Sequence, residues 1–297
     1  MRFTLLLILL SNVVSAQQID NGQCGAYTDL PFFNVNFIKE NQIQAMKGTI
    51  SFKKELDIIR PQYLVEVFQF NPEGKQTSTL KTTKNSRGKR DTAVVYFSYD
   101  NNDLICKRKS DTYGFFSDNY IYDSSGRVIQ KTYNRDDNAG PNKFSFQLKK
   151  SYKIVSEEYR YQEVSAQQLK KLHYNNYKRP FMEEVINRDE NGYLKEITSK
   201  TVIGNRRSKT LFEYDEQGQV MKKTEWPNLD KATKYENYYI YDRLGNLIEH
   251  NFYKNSTHKL HRKLLYNGAT MLLESQLAKE MSTGTITITK YKYTFYK

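Results

Sequence analysis

Tyr239-Ile240-Tyr241-Asp242-Arg243-Leu244-Gly245-Asn246-Leu247-Ile248 is the stretch that decides the fold. Aromatics at i and i+2 point to one face of a strand. The Asp that follows can bond its own backbone two residues on, which starts a turn. Two unconstrained residues lead to a Gly, which takes a positive φ without steric cost. An apolar pair then restarts a strand. The ten residues therefore encode strand, type I turn with a glycine bulge, and strand, which is one β-hairpin.

Working outward, the pattern returns. Tyr120-Ile121-Tyr122-Asp123 with Gly126 and Val128-Ile129 is a second copy, and Phe212-Glu213-Tyr214-Asp215 with Gly218 and Val220-Met221 is a third. Phe97-Ser98-Tyr99-Asp100 continues with Asp103 in the glycine position, and Phe68-Gln69-Phe70-Asn71 continues to Gly74. Asp189 to Gly192 keeps only the turn, and Leu265-Tyr266-Asn267-Gly268 is a degenerate copy. The spacing of about 25 residues marks an internal repeat, each unit a hairpin unable to bury its apolar face alone. Asp123, Gly126, Asp215, Gly218, Asp242 and Gly245 are read as structural turn residues. Tyr120, Tyr122, Phe212, Tyr214, Tyr239 and Tyr241 form the candidate ligand-face aromatics.

These residues resemble the YD-repeat family, also called RHS-type repeats, across most of residues 63–270. The resemblance implies long antiparallel sheets and a link to carbohydrate binding. The chain is far shorter than the family's shell-forming carriers and lacks their toxin tail. It is similar instead to short exported repeat proteins of Bacteroidetes. The family supplies no catalytic residues.

The fold expected is all-β, an extended, curved antiparallel meander of repeated hairpins reaching a half-open cylinder. Residues 17–62 read as an N-terminal arm with leading strands, and residues 63–297 as the repeat domain. The segment before Pro31 reads as a polar, irregular arm. Thr285 to Tyr296 alternates and reads as a closing strand. Ala166–His173 could be helix or strand, and Ser275–Glu280 a short helix or loop.

Arg2, the apolar run Phe3–Leu10 and Val14-Ser15-Ala16 make residues 1–16 a signal peptide, too short to span a bilayer. The protein is thus expected outside the cytoplasm, in the periplasm, on the surface or secreted, with no transmembrane segment in the mature chain. An oxidising compartment permits a disulfide between Cys24 and Cys106. Formal net charge is +13. In that setting the excess meets anionic polymers or simply solvates the surface. Nucleic acid is not the expected partner.

Chemistry is thin. His173, His250, His258 and His261 have no Cys partners at zinc spacing, so no metal or cofactor is expected. Glu157-Glu158 and Glu183-Glu184 are carboxylate pairs, but neighbours in a strand face opposite ways. No nucleophile elbow or phosphate loop occurs. The expected function is non-enzymatic: an exported envelope protein binding glycans or other anionic envelope polymers. The alternatives are a structural or protein-interaction scaffold and, third, a cryptic polysaccharide hydrolase.

Overall fold

The computed structural model describes residues 17–84, 88–101, 103–111 and 114–297; the signal peptide expected over residues 1–16 lies outside them. A short helix, α1 (Val35–Glu40), precedes the strands β1 (Ile43–Lys54), β2 (Arg60–Phe70), β3 (Gln76–Lys84), β4 (Arg90–Asp100), β5 (Asp103–Asp111) and β6 (Gly114–Tyr122). They continue as β7 (Val128–Asn138), β8 (Leu148–Ser165), β9 (Gln168–Tyr174), β10 (Pro180–Arg188), β11 (Leu194–Thr201) and β12 (Arg207–Tyr214). The last six are β13 (Val220–Trp226), β14 (Tyr235–Tyr241), β15 (Leu247–Lys254), β16 (Thr257–Tyr266), β17 (Leu273–Glu280) and β18 (Thr285–Phe295). Ala166–His173, open to helix or strand in the sequence, forms the turn into β9 and most of that strand. Ser275–Glu280, expected as a short helix or loop, is instead part of strand β17.

Each strand pairs antiparallel with its sequence neighbours, and β18 also pairs with β1 from Ile43↔Phe295 to Lys54↔Thr285. The sheet is therefore an 18-stranded closed barrel. This corrects the expected open meander, although the all-β class stands. Open sheets of this size leave two edges of unpaired backbone groups, and closure removes both. Gly48 shows how closely the closing seam packs. An added Cβ there would lie 2.6 Å from the Thr289 methyl and 2.8 Å from the Tyr291 ring.

The turns explain the Asp and Gly of the repeat. Asp123 Oδ1 accepts from the Ser125 and Arg127 amides, both at 2.9 Å, and the Gly126 amide donates to the Asp123 carbonyl. Asp215 and Asp242 do the same for Gln219 and Asn246. Gly126, Gly218 and Gly245 have φ of 73, 78 and 83°. The copy at Phe97 differs. There Asp100 pairs directly with Asp103, and Asn101, not Asp103, takes the left-handed conformation. Without a glycine in the fourth position, the chain turns in fewer residues and uses Asn at the strained site.

The second aromatic of the repeat is a clamp. Tyr99, Tyr122, Tyr161, Tyr214, Tyr241, Tyr266 and Tyr293 donate their hydroxyls to the carbonyls of Gln76, Leu104, Val128, Leu194, Val220, Leu247 and Leu273, all at 2.7 to 2.9 Å. Each joins an even-numbered strand to the odd-numbered strand before it. In every such seam the backbone ladder ends two residues short of the acceptor, as at Lys222↔Tyr238 for Val220 and Glu196↔Leu211 for Leu194. The hydroxyl thus serves a carbonyl that the ladder leaves over.

The connection after β7 folds over the outer wall. Phe146 packs at a tilt against Phe115, with ring centroids 4.5 Å apart, and Arg108 lies over its ring. Beneath them Arg108 pairs with buried Asp136 at 2.7 Å.

A corked lumen as the candidate functional site

The expected polar arm is the barrel's own cork. Asn21 donates to the Tyr241 hydroxyl on β14 at 2.9 Å, while Asp29 pairs with Lys107 on β5 at 2.9 Å. Gln18 bonds Tyr293 on β18, and accepts from the Leu273 amide on β17. Strands β5 and β14 lie on opposite sides of the ring, so only a segment inside the lumen reaches both. Phe33 packs edge-on against Phe68 and Phe70. Asn34 caps α1 by accepting from the Phe37 amide, and Phe37 and Ile38 point into the core. The core cluster joins Ile19, Cys24, Phe32 and Phe33 of this segment to Met46, Phe212, Tyr239, Leu247 and Leu273 of the wall.

The cork sits at the rim where the Asp-to-Gly turns lie. At Gly74 an added Cβ would be 2.1 Å from the Val35 carbonyl oxygen, and at Gly245 it would be 2.1 Å from Gln17 Nε2. Beyond the cork, toward the opposite, open rim, the lumenal face carries Lys81, Lys109, Glu157, Lys171 and Glu184.

Every candidate ligand-face aromatic lies on the lumenal face. Phe212 and Tyr239 are buried in the cork's core. Tyr122, Tyr214 and Tyr241 spend their hydroxyls on clamps. Tyr120 is half-buried, with Lys131 Nζ 6.0 Å from its ring centroid. Cys24 and Cys106 are both buried and unbonded, so the bridge that an oxidising compartment permits is not formed in this structure. Cys24 belongs to the cork. Cys106 pairs with Ser98 and Asn119, on the face opposite to Lys107, so the sheet wall stands between the two thiols.

Against the cork, on the side away from the Asp242 turn, runs a buried polar chain. Arg262 lies 4.1 Å from the centroid of the Tyr27 ring and donates to His250 Nδ1 at 2.7 Å, and His250 Nε2 meets Asn237 Oδ1 at 2.9 Å. His250 also stacks on Tyr239 with ring centroids 5.0 Å apart. Burial, seconded by the Arg262 charge, drops the His250 pKa to about 3.

Above the cork, a lumenal cavity of about 300 Å³ lies between the cork's Tyr27–Phe32 loop and Phe68, Lys81, Val95 and Lys109 of the wall. Among the described residues, neither Lys81 nor Lys109 has a carboxylate within 4.0 Å. Lys107 beside them is held by Asp29 and Asp118. Across the lumen, Tyr159 donates to Glu157 at 2.9 Å, and Glu184 meets His173 at 2.9 Å and Lys171 at 3.4 Å. Burial pushes the Glu184 carboxyl up, but His173 and Lys171 outweigh it and hold it below the usual range. Its neighbour Glu183 pairs with Lys170 on the outer wall. No group of three or more potential metal ligands occurs among the described residues.

The outer wall is charged along its length. Glu236 is buried among Lys222, Lys234 and Tyr238, and Glu196 pairs with Lys209 at 2.7 Å. A barrel that spans lipid needs an uninterrupted apolar band about 25 Å tall on that face, and these ion pairs interrupt it. No helix among the described residues is long and apolar enough to cross a membrane.

No family model and no curated protein matches the sequence. Among solved structures the chain is similar to a porin-like protein from Bacteroides uniformis ATCC 8492, at 9% identity over 86% of this chain and 97% of that one, with a TM-score of 0.39. A porin-like protein from Bacteroides vulgatus ATCC 8482 follows at 9% identity, 77% and 97% coverage and a TM-score of 0.31. At these scores nothing about activity transfers to this chain.

Proposed function

We propose that the chain is a non-enzymatic binding protein of the cell envelope, and that the open half of its lumen holds an acidic glycan or a related anionic envelope polymer. The observation that carries this reading is the cavity above the cork, lined by Tyr27, Phe32 and Phe68 together with Lys81 and Lys109. Among the described residues neither of these lysines has a carboxylate within 4.0 Å, while Asp29, which also lines the cavity, is paired with Lys107. Sugar rings pack on aromatic faces, and the two ammonium groups supply charge for a carboxylate or sulfate. A lumen closed at one end presents such a site once, at the base of a cup.

Reading the chain as a short exported member of the YD-repeat family rests on the clamp tyrosines and the Asp-to-Gly turns, which recur with the same geometry around the ring. The non-enzymatic reading is supported by Glu184, whose depressed pKa and two basic neighbours suit it poorly to donate a proton.

The test is calorimetry on purified residues 17–297 with acidic and neutral oligosaccharides of matched length. Acidic oligomers should bind, neutral ones should bind at least tenfold more weakly, and Lys81→Ala with Lys109→Ala should lose the acidic ligand. No binding at millimolar oligosaccharide in low salt sinks the reading.

A further inference from the structure

The two rims of the barrel differ in charge. Successive strand connections alternate between them, so the turns at Asn71, Asp123, Asp189, Asp215 and Asp242 all fall at the corked rim. Two of these carry paired acids, Asp189-Glu190 and Asp215-Glu216. Two connections of the open rim are purely basic, while others, such as those after β1 and β13, mix both signs. The one after β9 ends in Lys178-Arg179, the one after β11 in Arg206-Arg207, and neither contains an acid. The connection after β1 is mixed: Lys53-Lys54 and Arg60 flank it, but it contains Glu55 and Asp57, which pair with Lys279 and Arg60.

The same open rim carries bare apolar loop tips. Leu56 is fully exposed at φ 60°, a conformation costly for a bulky residue, and Ile58 beside it is 70% exposed. Tyr177 is 82% and Ile203 88% exposed. Single exposed aliphatics are ordinary on a protein surface. Here they stand at connection tips in two groups: Leu56 and Ile58 after β1, beside Glu55 and Asp57 within the Lys54-to-Arg60 connection, and Tyr177 and Ile203 after β9 and β11, beside Lys178-Arg179 and Arg206-Arg207. In an 18-stranded ring those positions lie across the lumen mouth from each other.

We infer that the open rim docks on an anionic lipid surface, with the apolar tips entering the headgroup layer and the rim bases against lipid phosphates. Apolar side chains ringed by Lys and Arg are the composition that binds bilayer interfaces, and the acidic opposite rim sets the orientation. The barrel would stand on the bilayer without crossing it, its lumen facing the membrane. The inference rests on the rim and is independent of what the lumen holds.

Sedimentation of residues 17–297 with phosphatidylcholine vesicles, with and without phosphatidylglycerol, tests it. The protein should pellet with the anionic vesicles alone, and added salt should weaken the interaction. Leu56→Asp with Ile203→Asp should lower partitioning at least tenfold at unchanged melting temperature, since both side chains are exposed. Ile240→Asp, on the outer wall near the corked rim, should partition like the parent. Failure to pellet with anionic vesicles overturns the inference. So does undiminished binding by the double Asp variant, which would make the interaction purely electrostatic, and so does equal loss by Ile240→Asp. Capture of a protein partner while anionic vesicles leave the chain in solution would overturn it as well.

Discussion

The Tyr241 hydroxyl lies 2.9 Å from the Val220 carbonyl oxygen, three residues beyond the last backbone pair of its own strand and two beyond that of its partner. Tyr214 stands in the same relation to Leu194, and Tyr266 to Leu247. Tyr241→Phe and Tyr214→Phe keep the ring and leave one carbonyl without its donor. Each should cost about 1 kcal/mol, read as a lowered urea midpoint at unchanged slope. Unchanged midpoints for both would show that the hydroxyls contribute nothing and that only the rings matter.

The turn glycines should not be equivalent. Gly126 has φ 73° with open space where a Cβ would point, so Gly126→Ala should cost only the left-handed penalty, about 1 kcal/mol. Gly74, at φ 85°, has the Val35 carbonyl oxygen 2.1 Å and the Lys39 amide nitrogen 2.9 Å from that point. These are backbone atoms of the cork helix and cannot swing aside. Gly74→Ala should therefore cost about 3 kcal/mol or more and increase proteolysis before Asn41. Equal melting of the two variants would refute the seating of the cork against this turn.

What was legible in the sequence is what is local. An Asp followed three residues later by Gly forces a turn through its own hydrogen bonds, and Tyr-x-Tyr puts two rings on one face, so hairpins could be read directly. Closure depends on β1 meeting β18, residues such as Gly48 and Tyr291 that lie at opposite ends of the chain, and no short-range pattern records it. The cork escaped for a related reason. Ile19, Cys24, Phe32, Phe33, Phe37 and Ile38 each fit a different part of the wall, so their spacing has no strand or helix period. The adjacent Phe32-Phe33 and Phe37-Ile38 were the available signal of a buried segment. The clamp was also written in the repeat: its first aromatic position varies between Phe97, Tyr120, Phe212 and Leu264, while the second is Tyr in each of these copies.

The thiols should be inert in the folded protein. Burial pushes the Cys24 thiol up to about 12 and raises Cys106 as well, and the thiolate is the reactive form. At pH 8 a disulfide reagent should label neither cysteine until denaturant is added, and both thereafter. Melting should be the same with and without dithiothreitol. A reductant-sensitive melting temperature would mean that the two sulfurs bond through the wall, which the positions of Cys24 and Cys106 forbid.

His250 should set the acid limit of the fold. Its ring is buried between Arg262 and Asn237, and burial first, then the Arg262 charge, lower its pKa from 6.5 to about 3. The folded state therefore holds it neutral while the unfolded chain protonates it below about pH 6.5. Its stabilising share is complete above pH 6.5 and is lost as the pH falls toward 3. The loss approaches about 1.4 kcal/mol per pH unit within that window. His250→Gln retains a neutral polar side chain and removes the titration. Denaturant midpoints of parent and variant, measured from pH 7 to pH 4, should converge as the pH falls. Parallel curves would show that His250 already carries its proton in the folded barrel, and that Arg262 turns away from it.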